Sequence, residues 1–173
     1  MAIVENEEVA LRVARQLLLG SGFASFEFSS AYRLKFCKAR VAISGNTQLP
    51  VEVCIDLEGK WWFGADDQWR NLVDSLSPIG GVEPEESVQA FMLAKLRWSS
   101  GSVIESLDIQ GTSLILEFTN RTVLTVLGAV DEAASWRIFS VPINGEPTGW
   151  SVTSSGGSLY VSVPDESEST YLG

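Results

Sequence analysis

The 173-residue sequence predicts an α+β protein built mainly of antiparallel sheet, in meanders and hairpins, with two or three helices. Three observations carry this. Apolar residues recur at every second position over long stretches, most clearly between 103 and 139. Turn residues such as Asn120, Asn144-Gly145 and Gly156-Gly157 fall between those runs. Helical spacing is confined to a few stretches that carry their own start and stop signals.

Residues 5–19 read as an amphipathic helix. Val9, Val13 and Leu17 lie along one side, early glutamates suit the positive end of the helix dipole, and Gly20 and Gly22 stop it. A short Phe-rich strand is expected at 24–28. Residues 31–36 follow, with Tyr32, Leu34 and Phe36 on a dry face and Arg33 and Lys35 on a charged one. Val41 and Ile43 are expected to form its partner strand, ending at a Gly45-Asn46 turn, and Val51, Val53 and Ile55 line one side of a third strand. In Trp61-Trp62-Phe63, three adjacent aromatics cannot share one face of a strand, so at least one must pack against another element or lie near the surface.

Asp66 or Asp67 can cap a helical stretch through Trp69, Leu72, Val73 and Leu76, ended by Ser77-Pro78 and Gly80-Gly81. Pro84, Glu85 and Glu86 suit the first turn of a further helix to about 97, with Val88, Phe91, Met92, Lys95 and Leu96 on helical spacing. A meander follows: Ile104, Leu107 and Ile109; then Leu114, Leu116 and Phe118; then, after a turn in which Asn120 takes the left-handed conformation, Val123, Thr125 and Leu127. Ser135, Trp136 and Ile138 begin another short strand beyond the acidic Asp131-Glu132 loop. Residues 150–163 form a hairpin around 154–157.

The expected organisation is one compact domain over 1–173, with a candidate division into sheet units 1–80 and 81–164 and a loose acidic tail at 165–173. Leu34, Phe36 and Val41 match Leu116, Phe118 and Val123 at an offset of 82, an echo consistent with two related units. Net charge is -10, and it is uneven: residues 1–100 hold 13 acids and 10 bases, residues 101–173 hold 9 and 2. Such a surface repels phosphates and anionic lipid and attracts basic partners, so direct nucleic-acid or membrane binding is disfavoured. No apolar run approaches the roughly 20 residues of a membrane span. Three glutamates stand near the start where a secretory leader would carry a cation, which makes the cytoplasm the expected address.

The sequence contains no histidine, which removes the usual proton shuttle, the usual metal ligand and every Ser-His or Cys-His pair. Two cysteines, Cys37 and Cys54, cannot complete a zinc site. Neither a metal nor a cofactor is expected, and no catalytic residue is assigned. Gly20-Ser21-Gly22 follows a helix rather than a strand and lacks the further glycine or Lys-Ser pair of a phosphate loop. Carboxylate pairs read as solvated loop acids or caps, because sequence alone does not place two of them about 5–10 Å apart across a cleft.

Over residues 114–136, the hairpin followed by Asp131-Glu132, Ser135-Trp136 and a further strand resembles small uncharacterised bacterial sheet-rich proteins found among toxin-immunity factors. The resemblance is confined to this short stretch and transfers no functional residue. It implies a non-catalytic inhibitory binding protein that neutralises a basic partner, such as a cognate toxin, by occluding its surface. The candidate contacts are Asp131, Glu132, Asp66 and Asp67 as electrostatic partners and Trp61 or Trp62 as aromatic anchors. The alternative is a small-ligand or carbohydrate-binding module that uses exposed tryptophans.

Overall fold

A computed structural model of the chain describes residues 6–38, 50–78, 80–128, 134–141 and 149–164, and the backbone at 43–44 and 47–48. The elements in order are α1 (Glu7–Leu18), β1 (Gly22–Phe28), β2 (Tyr32–Cys37), β3 (Ile43–Ser44), β4 (Thr47–Gln48), β5 (Glu52–Leu57), β6 (Trp61–Phe63), α2 (Asp66–Asp74), α3 (Pro84–Trp98), β7 (Ile104–Gln110), β8 (Ser113–Phe118), β9 (Val123–Val126), β10 (Trp136–Ser140), β11 (Ser151–Ser155) and β12 (Ser158–Ser162). The fold is α+β and dominated by antiparallel sheet. A six-stranded sheet runs β1-β2-β5-β10-β11-β12, a four-stranded sheet runs β6-β9-β8-β7, and β3-β4 is a small separate hairpin.

The two sheets meet through their apolar faces. One row of paired positions crosses the larger sheet as Leu34, Ile55, Ile138, Val152 and Val161, all buried. From the smaller sheet come Leu107, Ile109, Leu114, Leu116, Phe118, Leu124 and Val126, also buried. The Phe36 and Phe118 rings stack between the sheets with centroids 6.3 Å apart, and Tyr32 meets Trp61 edge-on at 5.1 Å. Helix α1 packs along β7, β11 and β12, while α3 packs along β1 and β6. Each helix satisfies an edge-strand carbonyl: Arg15 Nε donates to Leu107 O at 2.9 Å, and Gln89 Nε2 donates to Trp61 O at 3.0 Å. Covered edges cannot recruit another strand.

The halves repeat one order of elements, namely a helix, a three-stranded meander, and a strand that leaves for the other sheet. Thus β6 departs from β1-β2-β5 to pair with β9, and β10 departs from β7-β8-β9 to pair with β5. Both meanders carry a register shift in their first strand, at Phe23/Ser25 and at Ile104/Ser106. The strands also exchange reciprocal bonds where they meet, Phe23 N to Ser102 O at 2.8 Å and Ile104 N to Ser21 O at 2.9 Å. Because each sheet draws strands from both halves, a cut near residue 80 would divide both sheets.

Several sequence expectations are corrected. The neighbours of β2 are β1 and β5, whereas Ile43–Ser44 pairs with Thr47–Gln48; Val41 and Gly45-Asn46 lie outside the described residues. The α2 N-cap is Ala65, without a side-chain bond, so Asp66 and Asp67 sit in the first turn as dipole partners instead of caps. In the β8–β9 turn the positive φ, 67°, belongs to Arg121, while Asn120 accepts from Thr122 N through Oδ1 and donates to Ser99 Oγ through Nδ2. That turn puts Leu124 opposite Leu116, so Leu124 and Val126 face the core and Val123, Thr125 and Leu127 do not. The shift near Ile104 accounts for the uneven spacing of Ile104, Leu107 and Ile109, all three of which are buried. The hairpin at 156–157 fits its Gly-Gly pair, both with positive φ, as a two-residue turn of the primed type requires. The tail at 165–173 lies outside the described residues.

Candidate functional site

The α2–α3 hairpin carries the largest exposed apolar side chains described. Pro84 opens α3 and its buried face is Val88, Leu93 and Leu96, with Met92 partly covered. Phe91 and Trp98 are seven residues apart and therefore share a side of the helix turned away from that face. They are 66 % and 86 % exposed, with exposed Lys95 between them. In the sequence Phe91 reads as a core residue because it follows Val88 by three. The core takes Leu93 instead, since α3 closes the gap between β1 and β6 and buries the side carrying Gln89, Leu93 and Leu96. Leu72 and Leu76, expected on the dry side of α2, are exposed, as is Val82; Trp69 alone of α2 is fully buried.

The hairpin is also acidic. Between 66 and 86 stand Asp66, Asp67, Asp74, Glu83, Glu85 and Glu86 against the single base Arg70. Asp66 pairs with Arg70 one helical turn on, and Asp67 is exposed. Glu85 accepts from the buried indole of Trp69 at 3.1 Å, which ties α2 to the start of α3. The Tyr32 hydroxyl donates to Glu86 O at 3.4 Å; burial first, and then the Glu86 carboxylate, raises its pKa.

The other predicted contacts fall elsewhere. Trp61 and Trp62 belong to the core, 2 % and 9 % exposed, because both faces of β6 are covered; neither indole offers a face to a partner. Trp69, Trp136 and Trp150 are likewise buried. Asp131 and Glu132 lie outside the described residues.

The solvent side of the six-stranded sheet is a network of compensated charges. Arg33 forms a two-pronged pair with Asp56 at 2.7 and 3.0 Å, and Lys35 pairs with Glu52 at 2.8 Å. The guanidinium groups of Arg33 and Arg137 each stand over the Phe139 ring, at 5.3 and 5.2 Å. Among the described residues no three His, Cys, Asp or Glu side chains gather to hold a metal ion, and no helix is long and apolar enough to cross a membrane.

Both cysteines are free thiols, with Cys54 buried opposite Lys35 and Phe139. Burial pushes the Cys54 thiol from 9.0 up to about 11. The folded protein thus holds this proton over a range where the unfolded chain has lost it. The stability it contributes is intact below pH 9 and falls as pH rises to 11, by about 1.4 kcal/mol per unit and about 2–3 kcal/mol across the window. Urea unfolding at pH 8 and pH 10.5 checks this: Cys54→Ala is expected to lose distinctly less stability than the unsubstituted protein between the two. Comparison with models of known protein families, with curated proteins and with solved structures gave no match.

Proposed function

We propose that the protein is a non-catalytic inhibitory binding protein of the immunity type, which covers a basic protein partner through the α2–α3 hairpin. The observation that carries this reading is the exposure of Phe91 and Trp98 on one side of α3, on a hairpin whose start is strongly acidic. A large apolar ring held in water on a rigid helix is the kind of group that dominates an interface once covered. The acids around it steer a cationic surface into place and set its orientation. Asp66 and Asp67, in the first turn of α2, remain electrostatic contacts in this reading, and Trp98 with Phe91 takes over the anchor role assigned to Trp61 or Trp62. Lys95 and Arg97 make the far end of α3 basic, so the partner's cations sit toward α2 and its apolar residues toward Phe91 and Trp98. A tryptophan-lined sugar groove has less support, since five of the six indoles are buried.

The test is titration with an amphipathic 14-residue peptide of alternating Leu and Lys blocks, followed by calorimetry at low and physiological salt. One-to-one binding that weakens with salt is expected. Phe91→Ser with Trp98→Ser should weaken it at least tenfold with an unchanged thermal midpoint, and Asp66→Lys with Asp67→Lys should flatten its salt dependence. Equal affinity in all three proteins would overturn the assignment of this surface.

A further inference from the structure

A second feature lies on a different side of the molecule. A groove of about 550 Å³ runs between the solvent side of α1 and the residue that follows β2, with Arg12, Arg15, Gln16 and Leu19 on one wall and Lys38 on the other. In a chain of net charge -10, three cations gather around one cavity, and among the described residues Glu8 is the acid on its lining. The cations are also held in place. The Lys38 backbone donates to Val51 O at 2.8 Å, and its Nζ donates to Gln16 O at 2.6 Å. Arg15 donates through Nε to Leu107 O and reaches Asp108 at 3.8 Å, which leaves its side chain fixed yet about half exposed. Leu11 and Leu19 add aliphatic surface between these heads.

We propose that this groove is a binding site for a small organic anion, a phosphate ester or carboxylate carrying an apolar body. The anionic head sits among Arg12, Arg15 and Lys38, and the body lies on Leu11 and Leu19. Positioned N–H donors recognise such a head by charge-assisted hydrogen bonds, and guanidinium groups favour two-pronged contact with phosphate or carboxylate. Lys38 is half-buried, and that burial lowers its pKa by penalising the charged form. An arriving anion offsets the same penalty, so binding and full protonation of Lys38 reinforce each other. The volume suits a compact ligand rather than a polymer.

The experiment is an amide-shift titration of the full chain with inorganic phosphate, hexyl phosphate and hexanoate, repeated with Arg12→Gln and with Lys38→Met. Saturable shifts confined to α1 and Lys38 are expected, with hexyl phosphate binding at least fivefold more tightly than inorganic phosphate. Each variant should weaken it at least fivefold. Arg12 is exposed on α1, and an unchanged thermal midpoint of Arg12→Gln shows that the fold is kept. Shifts scattered over the surface, or affinity unchanged in Arg12→Gln, would overturn the proposal. Equal binding of phosphate and hexyl phosphate would overturn the part assigned to Leu11 and Leu19.

Discussion

Replacing Trp136 with alanine is expected to lower the unfolding free energy by about 3–5 kcal/mol, a large share of the roughly 5–15 kcal/mol that holds a typical domain folded. The indole opens β10 with no exposed surface, between Leu57 on β5 and Ser154 on β11. Its Nε1 donates to Thr112 O at 2.8 Å, and Thr112 belongs to the β7–β8 turn of the other sheet. The substitution thus opens a cavity and also strands a carbonyl, which adds about 1–3 kcal/mol where water cannot replace the donor. Trp136→Phe should fall between the two, because it keeps most of the volume and loses the bond. Urea unfolding measures all three. A loss below about 1 kcal/mol for Trp136→Ala would mean that this residue does not join the sheets.

Leu124→Asp should unfold the protein or cost more than about 4 kcal/mol, because it places a carboxylate opposite Leu116 in a face sealed from water. One residue earlier the outcome reverses. Val123 is half-exposed and lies directly opposite Glu117, so Val123→Lys should stay within about 1 kcal/mol of the unsubstituted protein and gain a cross-strand ion pair. The alternation of Val123, Thr125 and Leu127 read along the chain gives the opposite ranking. Comparing thermal midpoints of the two variants therefore decides the register of β9. Equal tolerance at both positions would show that this strand is not paired as described.

That register marks one limit of reading the chain alone. Val123 and Leu124 are both apolar, as are Val126 and Leu127, so either parity offers a dry face; the geometry of the 119–122 turn picks one by setting Leu124 against Leu116. The position of β10 shows another limit. Trp136 and Ile138 alternate as a strand should, yet nothing in them says that the strand leaves the meander and enters the larger sheet between β5 and β11. Pairing partners distant in sequence are fixed by which edges remain open after the hairpins form, and local pattern carries no record of that.

The proposed binding surface is only partly legible in the sequence. Composition supplied its charge, and Asp66 and Asp67 were visible at the start of α2. Adjacent aromatics cannot share one face of a strand, which marks Trp61 or Trp62 as an exposed anchor, but both faces of β6 are covered: Trp61 packs against Tyr32 and Phe63, α2 and α3 both lie along the strand, and both indoles are buried. Nothing in the sequence sets Trp98 apart from the other five tryptophans, and it is the one left in water.

By itself the sequence determined the class of fold, the limits of α1 and α3 to within a few residues, the dry faces of β2 and β8, and the Gly-Gly hairpin. Each of these depends on neighbours a few positions apart, through periodicity, capping and backbone freedom. The tertiary structure alone decided the exchange of β6 and β10 between sheets, the face that β9 presents, and the exposure of Phe91 and Trp98. Those outcomes turn on which surfaces meet after the local elements exist, where burial of apolar area is shared among strands from both halves of the chain.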